Sequence, residues 1–62
     1  MENFETVYEI FDRIDGENIL DTEDRKVAEG YHEKGYLVDE HRIQKIKISH
    51  NEFVTTIVTI NW

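Results

Sequence analysis

Apolar residues alternate with polar ones in three stretches of this chain and repeat at helical spacing in a fourth. Residues 6–14 are the ambiguous stretch. Tyr8, Ile10 and Ile14 fall on one side of an extended chain, with Asp12 interrupting, while Phe4, Val7, Phe11 and Ile14 would equally line a helix. The next residues arbitrate. Asp15-Gly16 is a strong short hairpin signal, because both residues tolerate the positive φ of a type I′ turn, and a short apolar run, Asn18-Ile19-Leu20, comes after it. The pattern predicts a hairpin with strands over 6–14 and 17–20.

Residues 21–34 read as a helix. Asp21 or Thr22 is the expected N-cap, accepting from free amides of the first turn, and Glu23 and Asp24 then lie at the positive end of the helix dipole. Val27, Ala28 and Tyr31 share the face turned to the sheet, and Gly35 is placed to end the helix in the left-handed conformation. Gly30 inside the helix marks either a close helix–sheet approach or an early end.

A second hairpin is expected over residues 36–49 and 53–61. Ile43, Ile46 and Ile48 lie in its first strand, and the β-branched run Phe53–Ile60 forms its second. His50-Asn51 turns between them, Asn being suited to positive φ. Residues 36–42 either extend the first strand through a bulge or form a loop. The order is ββαββ: an α+β fold, a four-stranded, mainly antiparallel sheet with one helix packed on one face, within one small domain over residues 1–62.

One helix covers one sheet face, yet the strands carry apolar residues on both. Val54, Val58, Ile60 and Trp62 oppose Phe53 and Ile57, and Tyr8, Ile10 and Ile14 oppose Val7 and Phe11. A sheet with one wet face alternates cleanly, so a second covering is expected. A homodimer supplies it most simply, with Val7, Phe11, Phe53 and Ile57 as its partner-binding residues.

Size sharpens the point. A chain of 62 residues has little depth for a core, and it has no cysteine with which to staple itself. The seven aromatic residues argue against disorder even so. No apolar run is long enough to span a bilayer, and the acidic start, Met-Glu-Asn-Phe-Glu, lacks a signal-peptide pattern. A cytoplasmic location and no membrane partner are expected.

The net charge of −7 is uneven: −8 over residues 1–24 and +1 over residues 25–62. Such a chain repels phosphate backbones, so direct nucleic-acid binding is disfavoured. The basic run Arg42, Lys45, Lys47 is read as a polar strand side rather than a nucleic-acid stripe, since the interleaved aromatics of RNA-binding sheets are missing. The acidic surface Asp12, Asp15, Glu17, Asp21, Glu23 and Asp24 could meet a partner with a basic surface.

Chemistry is poorly supported. His32, His41 and His50 lack the spacing of metal ligands. Asp39-Glu40-His41 alternates sides along a strand, and the acidic run lacks the ligand spacing of a calcium loop. Ser49 beside His50 does not make a triad. No cofactor, metal or catalytic residue is expected; if an active site formed across a subunit interface, His41 or His50 would be its acid or base. The ββα opening resembles that of many small bacterial and phage proteins, a likeness of architecture that carries no function. The expectation is a non-enzymatic interaction or regulatory module, homodimeric, of bacterial or phage type. The alternative is an acidic inhibitor or nucleic-acid mimic that fills a basic groove of an enzyme.

Overall fold

A computed structural model describes residues 3–62, with side chains from Phe4 onward; Met1 and Glu2, part of the acidic amino-terminal stretch, lie outside the described residues. The chain forms β1 (Asn3–Phe11), β2 (Asn18–Thr22), α1 (Arg25–Glu33), β3 (Leu37–Ser49) and β4 (Glu52–Asn61). All neighbouring strands are antiparallel, in the order β2-β1-β3-β4. The expected α+β fold with ββαββ order is the observed one.

The first hairpin differs from expectation in its loop. β1 ends at Phe11 rather than residue 14, because Asp12 and Asp15 turn their carboxylates onto loop amides. Asp12 Oδ1 accepts from the Ile14 and Asp15 amides at 2.7 and 3.3 Å, and Asp15 Oδ1 accepts from the Glu17 amide at 2.9 Å. These local bonds compete with strand extension. Gly16 alone takes positive φ, at 74°, so the turn is not type I′. Ile14 is lifted off the sheet and is 89% exposed. Ile19 is the extra residue of a bulge, between pairs Ile10–Leu20 and Phe11–Asn18.

Strand β2 runs on through Asp21 and Thr22, so neither caps the helix. The Thr22 hydroxyl accepts from the Asp24 amide at 3.0 Å, and Asp24 is the N-cap, accepting from the Lys26 amide at 2.9 Å. The helix is therefore shorter than the expected 21–34. Its end has the complete Schellman pattern: the Gly35 amide donates to the His32 carbonyl and the Tyr36 amide to the Tyr31 carbonyl. Gly35 sits at φ 96° as expected, and the Tyr31 and Tyr36 rings meet edge-on across the motif, 5.3 Å between centroids.

Ala28 is the fully buried helix residue, while Val27 beside it remains 36% exposed. Gly30 neither ends the helix nor approaches the sheet, since a Cβ there would meet nothing within 4 Å. Gly30→Ala should therefore stabilise the fold by up to about 1 kcal/mol, read as a higher Tm at fixed protein concentration. An unchanged or lower Tm would contradict this account of the site.

Residues 37–42 belong to β3 and pair with β1 without a bulge. The irregularity comes later, at Ile48, which has no partner between the pairs Lys47–Phe53 and Ser49–Glu52. No non-glycine residue among those described has positive φ, so Asn51 turns the chain without it.

The buried apolar side chains among the described residues are Tyr8, Ile10, Ala28 and Val38, with Leu20, Tyr31, Tyr36 and Trp62 packed around them. This core sits at one end of the molecule, beneath the helix. Strand β3, 13 residues long, spans about 43 Å at the usual rise, and the molecule measures 46 × 21 × 15 Å. Its radius of gyration is 14.2 Å, against about 10.6 Å for a compact chain of this length. The β3–β4 hairpin extends past the part of the sheet that the helix covers.

Candidate functional site

Two polar arrangements flank the sheet, one on each side. On the helix side lie the even-numbered positions Tyr8, Ile10, Val38 and Glu40, together with Trp62. Glu40 is the buried charged residue among the described residues. Its carboxylate accepts from Arg42 Nε at 2.6 Å, Trp62 Nε1 at 3.0 Å and Arg25 at 3.4 Å. These donors, Arg42 foremost, hold its pKa below the usual carboxylate range against the opposing effect of burial. Arg25 is raised above its ordinary value, chiefly by the Tyr8 hydroxyl. Its guanidinium lies 4.9 Å from the Trp62 ring centroid. Both arginines are more than half exposed, so the network is a buried acceptor fringed by solvated cations.

The other side of the sheet bears no helix. Pairing register lays its residues out in rows. Near the β1–β2 loop are Phe11 and Leu37. The next row is Asp21, Glu9 and Asp39, carboxylates on three adjacent strands, with Asn61 beyond. Then come Val7, His41 and Thr59, succeeded by Glu5, Ile43 and Ile57. Lys45 and Thr55 are next, and Lys47 and Phe53 complete the series. A shallow depression of about 520 Å³ runs over the middle, lined by Val7, Glu9, Asp21, His41, Ile43 and Ile57 along with Thr59.

Val7, Phe11, Phe53 and Ile57 do share this open face, as alternation implies. Val7 and Ile57 both line the central depression. Phe11 is half-buried at one end, and Phe53 lies at the other, 53% exposed, with Lys45 Nζ 5.7 Å from its ring centroid. Arg42 does not join Lys45 and Lys47 here: strand parity turns it to the helix side, onto Glu40.

His41 is tied down within the face. Its Nδ1 lies 2.8 Å from the Thr59 hydroxyl. Its Nε2 rests against the Glu9 carboxylate, off the line of a well-formed hydrogen bond. Comparison with family models, curated proteins and solved structures finds no match. The surface must be read from its own geometry.

Of the six acids expected to form a binding surface, four hold local structure. Asp12 and Asp15 shape the loop, Asp24 caps the helix, and Asp21 accepts from the Asn18 side-chain amide at 2.9 Å. Glu17 and Glu23 are exposed. The six are spread over loop, strand and helix start rather than gathered on one plane. The denser acidic row includes Glu9 and Asp39, which sequence reasoning overlooks because they belong to different strands and only pairing brings them together. Glu40 is likewise missed. Its signal is present in the sequence: it continues the buried parity of Val38, where a charge must have partners.

Among the described residues there is no group of three or more His, Cys, Asp or Glu side chains arranged to hold a metal ion, and no helix is long and apolar enough to cross a membrane. What this face offers chemically is an apolar centre between oppositely charged ends.

Proposed function

We propose that this protein is a non-enzymatic interaction module of regulatory or accessory type that works as a homodimer. The observation that carries this reading is the bareness of the extended hairpin. In β4, nine of the ten residues are exposed, among them Phe53, Val54, Ile57 and Val58. Its outer edge is unpaired, and it lacks the lysines and prolines that usually protect such edges.

Area points the same way. The chain exposes 4827 Å², whereas a compact protein of 7.4 kDa exposes about 4,200 Å². The excess, about 600 Å² per copy, approaches the roughly 800 Å² per partner of a standard interface. Excess surface of that extent, with Phe53, Val54, Ile57 and Val58 exposed on it beside a core of four buried side chains, favours a partner over chance exposure. The alternative of an acidic mimic has less support, because four of its six proposed acids are engaged in local hydrogen bonds of the loop, strand and helix cap.

Sedimentation equilibrium across the micromolar range tests the reading. A species of twice 7.4 kDa is expected, dissociating on dilution. A mass of 7.4 kDa at every concentration would overturn it.

A further inference from the structure

Resting on that reading, we propose that two copies stack through the open sheet face with strands antiparallel, placing Lys45 and Lys47 of each over the acidic end of the other's β3, at Asp39 with Glu9 one strand away. The face is self-complementary in only one sense. Asp39 and Lys45 are six residues apart on β3, about 20 Å. A two-fold axis along the strands would superpose acid on acid and base on base. An axis across the strands reverses the row order, so the acidic end of each copy meets the basic end of the other.

The same reversal brings the Phe53 end of one copy over the Phe11 and Leu37 end of its mate, and stacks the Val7, Ile43 and Ile57 centres on each other. Glu5 is no obstacle. Strand β2 pairs with β1 only from Tyr8 onward, so Glu5 lies on a free sheet edge, at the rim of the face.

The acidic row gives a second reason. Glu9 stands directly opposite Asp21 on one side and Asp39 on the other, and like charges so paired destabilise a sheet. Within one chain the His41 ring lies against Glu9, and the lysines of the same face are too far away to help. The second copy's ammonium groups would supply the missing counter-charge. The product has four layers, helix–sheet–sheet–helix, with the two sheets about 10 Å apart. The helices lie outside, and the apolar residues of the open face of each sheet are covered.

The test uses two variants of the full chain. Lys45→Glu with Lys47→Glu makes the face wholly acidic, and Glu9→Lys with Asp39→Lys makes it predominantly basic. Each alone should self-associate at least tenfold more weakly than the parent. An equimolar mixture should form a heterodimer, since the charges at positions 9 and 39 of each copy again oppose those at 45 and 47 of the other, while Asp21, unchanged in both, lies two strands away from β3. Recovery in the mixture also shows that both variants fold, and far-UV circular dichroism checks each separately. If both variants dimerise as the parent does, the stacking is wrong while self-association stands, and pairing through the β4 edge takes its place. Natively folded variants that stay monomeric in the mixture also overturn the stacking. A monomeric parent overturns both proposals.

Discussion

Replacing Trp62 with Ala is expected to lower the unfolding free energy by about 3 kcal/mol, the low end of the range for removing a large aromatic, because the ring is only half-buried. The residue closes the core where helix meets sheet. Its amide donates to the Val38 carbonyl at 3.0 Å, which continues the β3–β4 ladder past Asn61. Its ring meets Tyr8 and His32 edge-on, at centroid distances of 5.6 and 5.5 Å, with Arg25 beside it. Its Nε1 donates to Glu40. Truncation opens the core at Tyr8 and removes one partner from a buried carboxylate.

A domain of this size has a total stability of only about 3–9 kcal/mol, so the loss is a third of it or more. Urea unfolding monitored by far-UV circular dichroism, at one protein concentration because association adds to apparent stability, should show a clearly lower midpoint. Trp62→Phe keeps the ring contacts and loses the hydrogen bond, and should cost about 1 kcal/mol. A Trp62→Ala midpoint equal to the parent's would mean that the ring does not close the core.

The contrast between what the chain reveals and what it conceals comes from the range of the forces involved. Element order and type are legible because they depend on local pattern: Asp15-Gly16 marks a hairpin, Gly35 ends a helix, and Phe53–Ile60 is β-branched. That Val7, Phe11, Phe53 and Ile57 share a face is legible too, since alternation along a strand fixes parity. Boundaries are not. Asp12, Asp15, Thr22 and Asp24 each have a side chain that competes for nearby amides, and pattern alone does not show which wins. The charged ends of the open face are hidden for another reason. Asp21, Glu9 and Asp39 are separated along the chain and become neighbours only through the register of β2, β1 and β3. The acidic bias of residues 1–24 draws notice to loop carboxylates instead, most of which serve the backbone.

Glu40 carries the second large effect, and it depends on pH. Its three donors favour the ionised form, so its folded pKa is below that of the unfolded chain, where glutamate titrates near 4.3. A depressed acid of this kind contributes its full stability above the unfolded pKa. The contribution declines as pH falls below that value and is gone once pH has passed the folded pKa. Acidification from neutrality should therefore leave this contribution intact until about pH 4.3, with loss beginning there. Glu40→Gln keeps an acceptor for Trp62 Nε1 but loses the charge that Arg42 and Arg25 face. It should cost about 2 kcal/mol at neutral pH, and its stability should fall less steeply than the parent's below about pH 4.3. Glu40→Ala also leaves a void beneath the Trp62 ring and should cost more, about 3 kcal/mol. That is less than breaking a fully buried pair would cost, because both arginines can return to water. Thermal melts of parent and Glu40→Gln from neutral to strongly acid pH would separate the two effects. Parallel acid limbs would show that Glu40 is not the group whose protonation loosens this fold.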